Sequence, residues 1–278
     1  MFYNAKNHTV TIDGDTTDFI SFGKGKKNLV IIPGVGDGLK TAKGLAIPFA
    51  FMYRLFAKDF TVYVMSRKRN IPENYSTQQM AADMHKVLQS VGVEKTSVLG
   101  VSMGGMIAQY LAIDFPEFVE NLVLAVTLAR PNDTVKERCE TWIKSAEDKD
   151  YQAIMKDCAL YSYSDEYLRK NKMMLNVISK IGAPKSFDRF ITFSKACTTH
   201  NSYEKLEKIT CPTLVIGGMQ DKIVTYKASE EIASKIPNAK LKTYEKFGHA
   251  LYEEGKDFNK TVYEFCMGNE TLLEKIDK

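Results

Sequence analysis

Short apolar runs alternate with amphipathic segments along most of this chain. Weak alternation over residues 8–12 and 18–22, on either side of Asp13-Gly14-Asp15, predicts a hairpin. Helical spacing over residues 77–91 predicts an amphipathic helix with Ser76 or Thr77 as its N-cap. Further runs predict strands at residues 28–32, 60–65, 95–99, 119–127, 213–218 and 239–244. Several of these runs are continuously apolar, which is typical of strands buried on both faces of a mostly parallel sheet.

The alternation of strands and helices stops between residues 131 and 206. Charged helical segments predominate there, at residues 133–146, 151–160, 165–181 and 186–197. The strand pattern resumes at residues 213–218. We therefore predict an α/β core formed by residues 1–130 and 207–278, interrupted by a helical insertion at residues 131–206.

Composition and charge narrow the classes of partner. A formal charge of +4 over 278 residues is small, and the basic clusters at 24–27 and 67–69 are interpreted as solvated loops. Neither nucleic-acid binding nor membrane insertion is therefore expected. The first residues lack the apolar core of a signal peptide. Five scattered cysteines without a C-x-x-C pair argue against a zinc or dithiol site. We expect a cytoplasmic protein that uses no metal and no organic cofactor. Whether the protein forms a homodimer is left open by these observations.

The candidate nucleophile lies in Gly100-Val101-Ser102-Met103-Gly104, which fits the pattern G-x-S-x-G. An apolar strand signal precedes this stretch, and a helical signal follows it. Such a strand–turn–helix elbow holds its serine in a strained conformation and exposes the hydroxyl above the sheet. The free N–H groups of the following helix favour a developing negative charge nearby. The flanking glycines are expected because side chains there would collide with neighbouring elements.

A serine nucleophile requires a base within hydrogen-bond reach and an acid that orients the base. We expect His249 to be the base because it follows the last predicted strand, at the edge where functional groups of an open sheet gather. The other histidines lie in the first hairpin, inside a predicted helix and at the end of the insertion. Asp221 follows the strand at 213–218 and is the expected acid. Asp133 is the competing acid, although it also fits a helix N-cap.

The chain order Ser102, Asp221, His249 resembles that of the α/β-hydrolase superfamily. Three further segments are similar to the family's end of the elbow helix, its acid-bearing strand and its histidine loop, at residues 114–119, 211–218 and 247–249. The insertion lies where that superfamily carries a helical cap. The resemblance implies an α/β-hydrolase fold, with a mostly parallel sheet of about eight strands and a cap.

The resemblance also implies an oxyanion hole formed by the backbone N–H groups of Met103 and Val35. The family's loop usually reads His-Gly-x, whereas this chain reads Pro33-Gly34-Val35-Gly36. The histidine that normally supports the loop is therefore missing. The glycines also suit a phosphate loop, but neither a G-K-[ST] ending nor G-x-G-x-x-G is present.

The expected function is that of a serine hydrolase, similar to small capped esterases and enol-lactonase-like enzymes. It would cleave a small carboxylic ester, lactone or thioester through an acyl-enzyme intermediate. Acyl transfer or C–C hydrolysis on the same triad remain alternatives, as does a receptor for a small ligand. A roof formed by the insertion is expected to enclose the substrate, with pocket residues Gly34, Met106, Tyr161, Tyr163, Phe190 and His200.

Overall fold

The computed structural model describes residues 2–269. Its centre is a sheet of eight strands: β1 (Lys6–Ile12), β2 (Asp15–Gly23), β3 (Lys27–Ile32), β4 (Phe60–Met65), β5 (Thr96–Val101), β6 (Val119–Ala125), β7 (Thr213–Gly218) and β8 (Ala239–Tyr244). Their order across the sheet is β1-β2-β4-β3-β5-β6-β7-β8. The first two pairings, β1 with β2 and β2 with β4, are antiparallel, and the others are parallel. The predicted hairpin and mostly parallel sheet are confirmed.

Helices cover both faces of this sheet: α1 (Ala46–Met52), α2 (Thr77–Ser90), α3 (Met103–Asp114), α4 (Asp133–Glu147), α5 (Tyr151–Ser162), α6 (Asp165–Ile178), α7 (Asp188–Thr199), α8 (Tyr226–Lys235), α9 (Leu251–Glu254) and α10 (Phe258–Cys266). Short 3-10 turns lie at Val35–Gly38, Arg54–Lys58 and Tyr203–Lys208. Ser76 is the N-cap of α2, where its hydroxyl accepts the N–H of Gln79 in a capping box. No helix among residues 2–269 is both long and apolar enough to cross a bilayer.

The strand β3 shows why its sequence is continuously apolar. Val30 and Ile32 face a core shared with α2 and α3, and Leu29 and Ile31 face a second core shared with α1 and α10. Successive side chains of a strand point to opposite faces, so both faces of β3 are buried. The strand ends directly at the turn Val35–Gly38, which therefore lies at the carboxyl edge of the sheet.

Helix α1 contains a proline in its first turn. This helix begins two residues before Pro48 and is followed by the 3-10 turn at Arg54–Lys58. A proline in the first helical turn lacks only an N–H that would have no acceptor there, so it does not mark the first helical residue.

Helices α4 to α7 occupy the predicted insertion between β6 and β7. Trp142 of α4 and Phe190 of α7 belong to the same buried cluster as the apolar residues of β3, β5 and β6. In contrast, α6 buries none of its side chains fully. The insertion thus shares the core of the sheet, and the division into a core domain and a cap stays a prediction.

Candidate functional site

Ser102 forms the sharp turn between β5 and α3. Its backbone has φ +54° and ψ −123°, a conformation that is rare outside glycine. The Ser102 N–H donates to the carbonyl of Ala125 at 2.9 Å, and the Thr127 hydroxyl donates to the Ser102 carbonyl at 2.7 Å. These two contacts hold the strained turn against the end of β6. Sequence reasoning did not find Thr127, whose only signal is its position just after that strand.

The glycines of the elbow are required by close backbone approach. A Cβ atom on Gly104 would lie 1.9 Å from the carbonyl oxygen of Ile32, and one on Gly100 would lie 2.6 Å from the carbonyl oxygen of Gly104. Neither distance is compatible with a side chain. Strand β3 can therefore approach the N-terminus of α3, and this places the turn that follows β3 beside Ser102.

Three polar side chains form one hydrogen-bonded chain at the carboxyl edge of the sheet. The Nε2 atom of His249 lies 2.9 Å from Ser102 Oγ, and its Nδ1 atom lies 2.8 Å from Asp221 Oδ2. The second carboxyl oxygen, Asp221 Oδ1, accepts the N–H groups of Ile223 at 2.8 Å and Val224 at 3.0 Å. Each oxygen of the carboxylate thus has its own donors, so the position of the His249 ring is well defined.

The charge on Asp221 determines the direction of these hydrogen bonds. Burial by itself would raise the pKa of Asp221, but His249 and the two backbone donors outweigh it and hold that pKa below its ordinary value. An ionised carboxylate only accepts, so the ring proton lies on Nδ1 of His249. The Nε2 atom is then free to accept the proton of the Ser102 hydroxyl. This is the protonation state that a general base needs.

The competing acid lies away from this chain of contacts. Asp133 is fully exposed in the first turn of α4, where its carboxylate lies 3.9 Å from Lys136 Nζ. The N-cap of that helix is Asn132, whose side-chain oxygen accepts the N–H of Val135. Asp133 therefore neither contacts His249 nor caps α4.

The two residues predicted to form the oxyanion hole each begin a helical segment next to Ser102 or the turn after β3. Met103 is the first residue of α3, and Val35 is the first residue of the turn at Val35–Gly38. The N–H groups at the start of a helix have no acceptor within that helix. A Cβ atom on Gly34 would lie 3.3 Å from Ser102 Cβ, so the backbone before Val35 runs directly beside the serine.

A buried ionic network supports the turn at Val35–Gly38. The Arg67 guanidinium donates to the Pro33 carbonyl at 2.6 Å. Asp37 Oδ2 accepts the backbone N–H of Arg67 at 3.1 Å and the guanidinium of Arg189, from α7, at 3.2 Å. Burial lowers the pKa of Arg67 from its ordinary value, an effect that Asp37 opposes. The interpretation of residues 67–69 as a solvated cluster is therefore wrong for Arg67, whose side chain is completely buried.

A cavity of about 550 Å³ opens beside Ser102 and His249. Its walls come from the turn after β3, from α1, and from α4 to α7 and α9. Of the predicted pocket residues, Gly34, Tyr163 and Phe190 line this cavity. Sequence reasoning missed several of its lining residues, including Phe49, Met52, Trp142, Tyr252 and Glu253.

The three other predicted pocket residues do not line this cavity. Met106 is buried in the core beneath α3, and His200 is buried between Thr77 and Ser202, to which its ring nitrogens are hydrogen-bonded. Tyr161 stacks on the Arg138 guanidinium at 4.0 Å. Helix α5 presents a different face to the cavity, with the i, i+3, i+4, i+7 spacing of Met155, Cys158, Ala159 and Ser162.

Residues 2–269 contain no group of three or more His, Cys, Asp or Glu side chains arranged to hold a metal ion. The five cysteines are free thiols.

The profile of the alpha/beta hydrolase fold matches residues 27–256 of this chain. A putative carbamate hydrolase RutD from Caulobacter sp. (strain K31) is 27% identical over 203 residues, which cover 72% of this chain and 76% of that protein. The 3-oxoadipate enol-lactonase 2 of Acinetobacter baylyi is 23% identical over 191 residues, covering 68% of this chain and 70% of the other. The crystal structure of the enol-lactonase from Burkholderia xenovorans LB400 superposes with a TM-score of 0.80 at 18% identity, over 93% of this chain and 99% of that one. The chain therefore belongs to the alpha/beta-hydrolase family and is a hydrolase of that family.

Proposed function

We propose that this hydrolase cleaves a small carboxylic ester or lactone through an acyl-enzyme intermediate on Ser102. The observation that carries the proposal is the continuous contact from Asp221 through His249 to Ser102, at 2.8 and 2.9 Å, on the wall of a cavity. Hydrogen bonds of this length connect a nucleophile, a base and an orienting acid in acyl-transfer enzymes.

The geometry supports a two-step reaction. Ser102 Oγ attacks the carbonyl carbon while its proton passes to His249 Nε2, and the carbonyl oxygen becomes an oxyanion. The N–H groups of Val35 and Met103 would donate to that oxyanion, and one such donor is worth on the order of 10²–10³ in rate. The imidazolium then returns its proton to the leaving alkoxide. A water molecule repeats the sequence on the acyl-enzyme and releases the acid.

The cavity limits the size of the substrate. A volume of about 550 Å³ suits a molecule of modest size, and most of its lining side chains are apolar or aromatic. The carbamate hydrolase among the relatives supports a carbamate as a second candidate substrate, because attack by Ser102 at its carbonyl would follow the same steps.

The proposed nucleophile is tested by Ser102→Ala with a panel of short p-nitrophenyl esters, lactones and carbamates. We expect activity to fall by on the order of 10⁴-fold or more, with an unchanged melting temperature, because only a hydroxyl is removed. Ser90→Ala, in the last turn of α2, serves as the matched control and should keep full activity. Undiminished turnover by Ser102→Ala would exclude Ser102 as the nucleophile.

A fluorophosphonate probe separates an enzyme from a receptor with the same fold. Peptide mass spectrometry should find the probe on Ser102 of the unmodified protein and no label in Ser102→Ala. A protein that hydrolyses no member of the panel and remains unlabelled would have a different function.

A further inference from the structure

The cavity beside Ser102 has a polar wall that the proposed reaction does not use. Glu253 lies in α9, four residues after His249, and it lines the cavity together with Tyr163 and Tyr167. The Tyr163 hydroxyl donates to Glu253 Oε2 at 2.6 Å. A carboxyl group therefore faces the same space as the reactive serine.

Protein cations do not neutralise this carboxyl group. Among the ion pairs of residues 2–269, none includes Glu253. The neighbouring Glu254 is already bound, because it accepts the N–H of Ser164 at 3.0 Å and also the hydroxyl of that residue. Glu253 thus differs from Glu254 in having its carboxyl group available to a molecule in the cavity.

Neighbouring groups partly disfavour the charged form of Glu253. Desolvation raises the pKa of Glu253 above its ordinary value, the hydrogen bonds from Tyr163 and Tyr252 oppose that rise, and Glu254 adds repulsion. Glu253 is nonetheless exposed, so that a molecule in the cavity can reach it. A positive charge brought into the cavity would compensate this unpaired carboxylate.

Aromatic rings beside the carboxyl group favour the same kind of ligand. The rings of Tyr163 and Tyr167 are stacked, with centroids 4.3 Å apart and an interplanar angle of 8°. The faces of aromatic rings attract cations, and alkylammonium groups are bound in proteins by such rings. Lys40 also lines this cavity, from the segment after the turn at Val35–Gly38, and no ion pair among the described residues joins it to Glu253.

We propose that Glu253, Tyr163 and Tyr167 form a subsite for a positively charged alkylammonium group on the ester that Ser102 cleaves. The inference rests on the proposed function, because it assigns the cation to the substrate of Ser102. A carboxylate on the substrate would be repelled at this wall, and a neutral group would gain only a hydrogen bond.

The kinetic test uses three p-nitrophenyl esters of equal chain length that end in a trimethylammonium group, a tert-butyl group or a carboxylate. The first two have almost the same shape, so their ratio of kcat/KM measures the charge alone. We expect the wild type to favour the cationic ester by about 10-fold. Glu253→Gln should bring the ratio close to one. Glu254→Gln removes the same charge outside the cavity and should leave the ratio as in the wild type.

A binding measurement keeps this inference separate from the esterase proposal. Ser102→Ala is titrated calorimetrically with benzyltrimethylammonium, with and without Glu253→Gln, and melting temperatures confirm that each variant folds. Binding that disappears with Glu253→Gln supports the subsite even if no ester is cleaved, in which case the proposed function alone fails. Equal rates for the cationic and neutral esters together with no binding overturn the subsite while ester hydrolysis stands. A preference for the carboxylate ester also overturns it.

Discussion

Replacing His200 by glutamine should remove a large part of the pH dependence of stability. The His200 side chain is 2% exposed, and burial lowers its pKa to about 3. Its Nδ1 atom lies 2.8 Å from Thr77 Oγ1, and its Nε2 atom lies 3.2 Å from Ser202 Oγ. The Ser202 hydroxyl also donates to Gln109 Oε1, so its oxygen accepts from Nε2–H. The neutral ring satisfies both contacts, and a second ring proton would lose one of them.

The two pKa values determine the size and sign of the effect. The pKa of His200 is about 3 in the folded protein against 6.5 for an unperturbed histidine. Between these values the unfolded chain binds more protons, so stability rises with pH. The contribution is complete above the unfolded pKa and decreases as the pH falls towards 3. Between pH 7 and pH 5, the linkage relation gives a loss of about 2 kcal/mol from this group.

Urea unfolding at pH 7 and pH 5 measures this contribution. His200→Gln should be less stable than the wild type at pH 7, by roughly 1 kcal/mol for a lost hydrogen bond, yet lose about 2 kcal/mol less on acidification. Ser202→Ala also loses a hydrogen bond but keeps the histidine, so its pH dependence should match the wild type. Identical decreases for wild type and His200→Gln would show that the buried ring does not control acid stability.

Three further substitutions test the site and its support. Asp221→Asn should lower kcat for ester hydrolysis by about 10⁴-fold, whereas exposed Asp133→Asn should have no effect; the reverse result would reassign the acid. Asp37→Asn should reduce the free energy of unfolding in urea by about 3 kcal/mol, because two guanidinium groups lose their carboxylate; a neutral result would show that the network is not stabilising. Gly38→Ala should lower both activity and melting temperature, since its Cβ would lie 2.7 Å from the backbone of α7, whereas Gly36→Ala meets no atom within 4 Å and should be tolerated. Equal effects of the two glycine substitutions would contradict this reasoning.

The sheet and the elbow were predictable because their signals are local. Continuous apolar runs identify strands buried on both faces, and the spacing G-x-S-x-G between a strand and a helix identifies Ser102. Asp221 and His249 could be selected because residues that follow parallel strands meet at one edge of the sheet. The structure places these three side chains in one hydrogen-bonded chain.

The walls of the cavity were less predictable because they depend on which face each helix presents. Tyr161 and Tyr163 are two positions apart, yet the first packs on Arg138 and the second lines the cavity. The sequence did not identify Phe49 and Met52 as cavity residues, because an apolar helix fits a buried core equally well. Glu253 is an ordinary glutamate in sequence, and only its position after the histidine loop brings it to the cavity.

The amino-acid sequence alone determined the class of fold, the order of its elements and the residue types at the edge of the sheet, because hydrophobic period and turn chemistry act over a few neighbouring residues. The tertiary structure decided which distant charges meet. Arg67 is one of three consecutive basic residues, and its burial beside Asp37 and Pro33 follows from the way the segments after β3 and β4 meet each other and α7. Such contacts depend on the relative placement of whole elements, and that placement is a property of the packed core rather than of any local pattern.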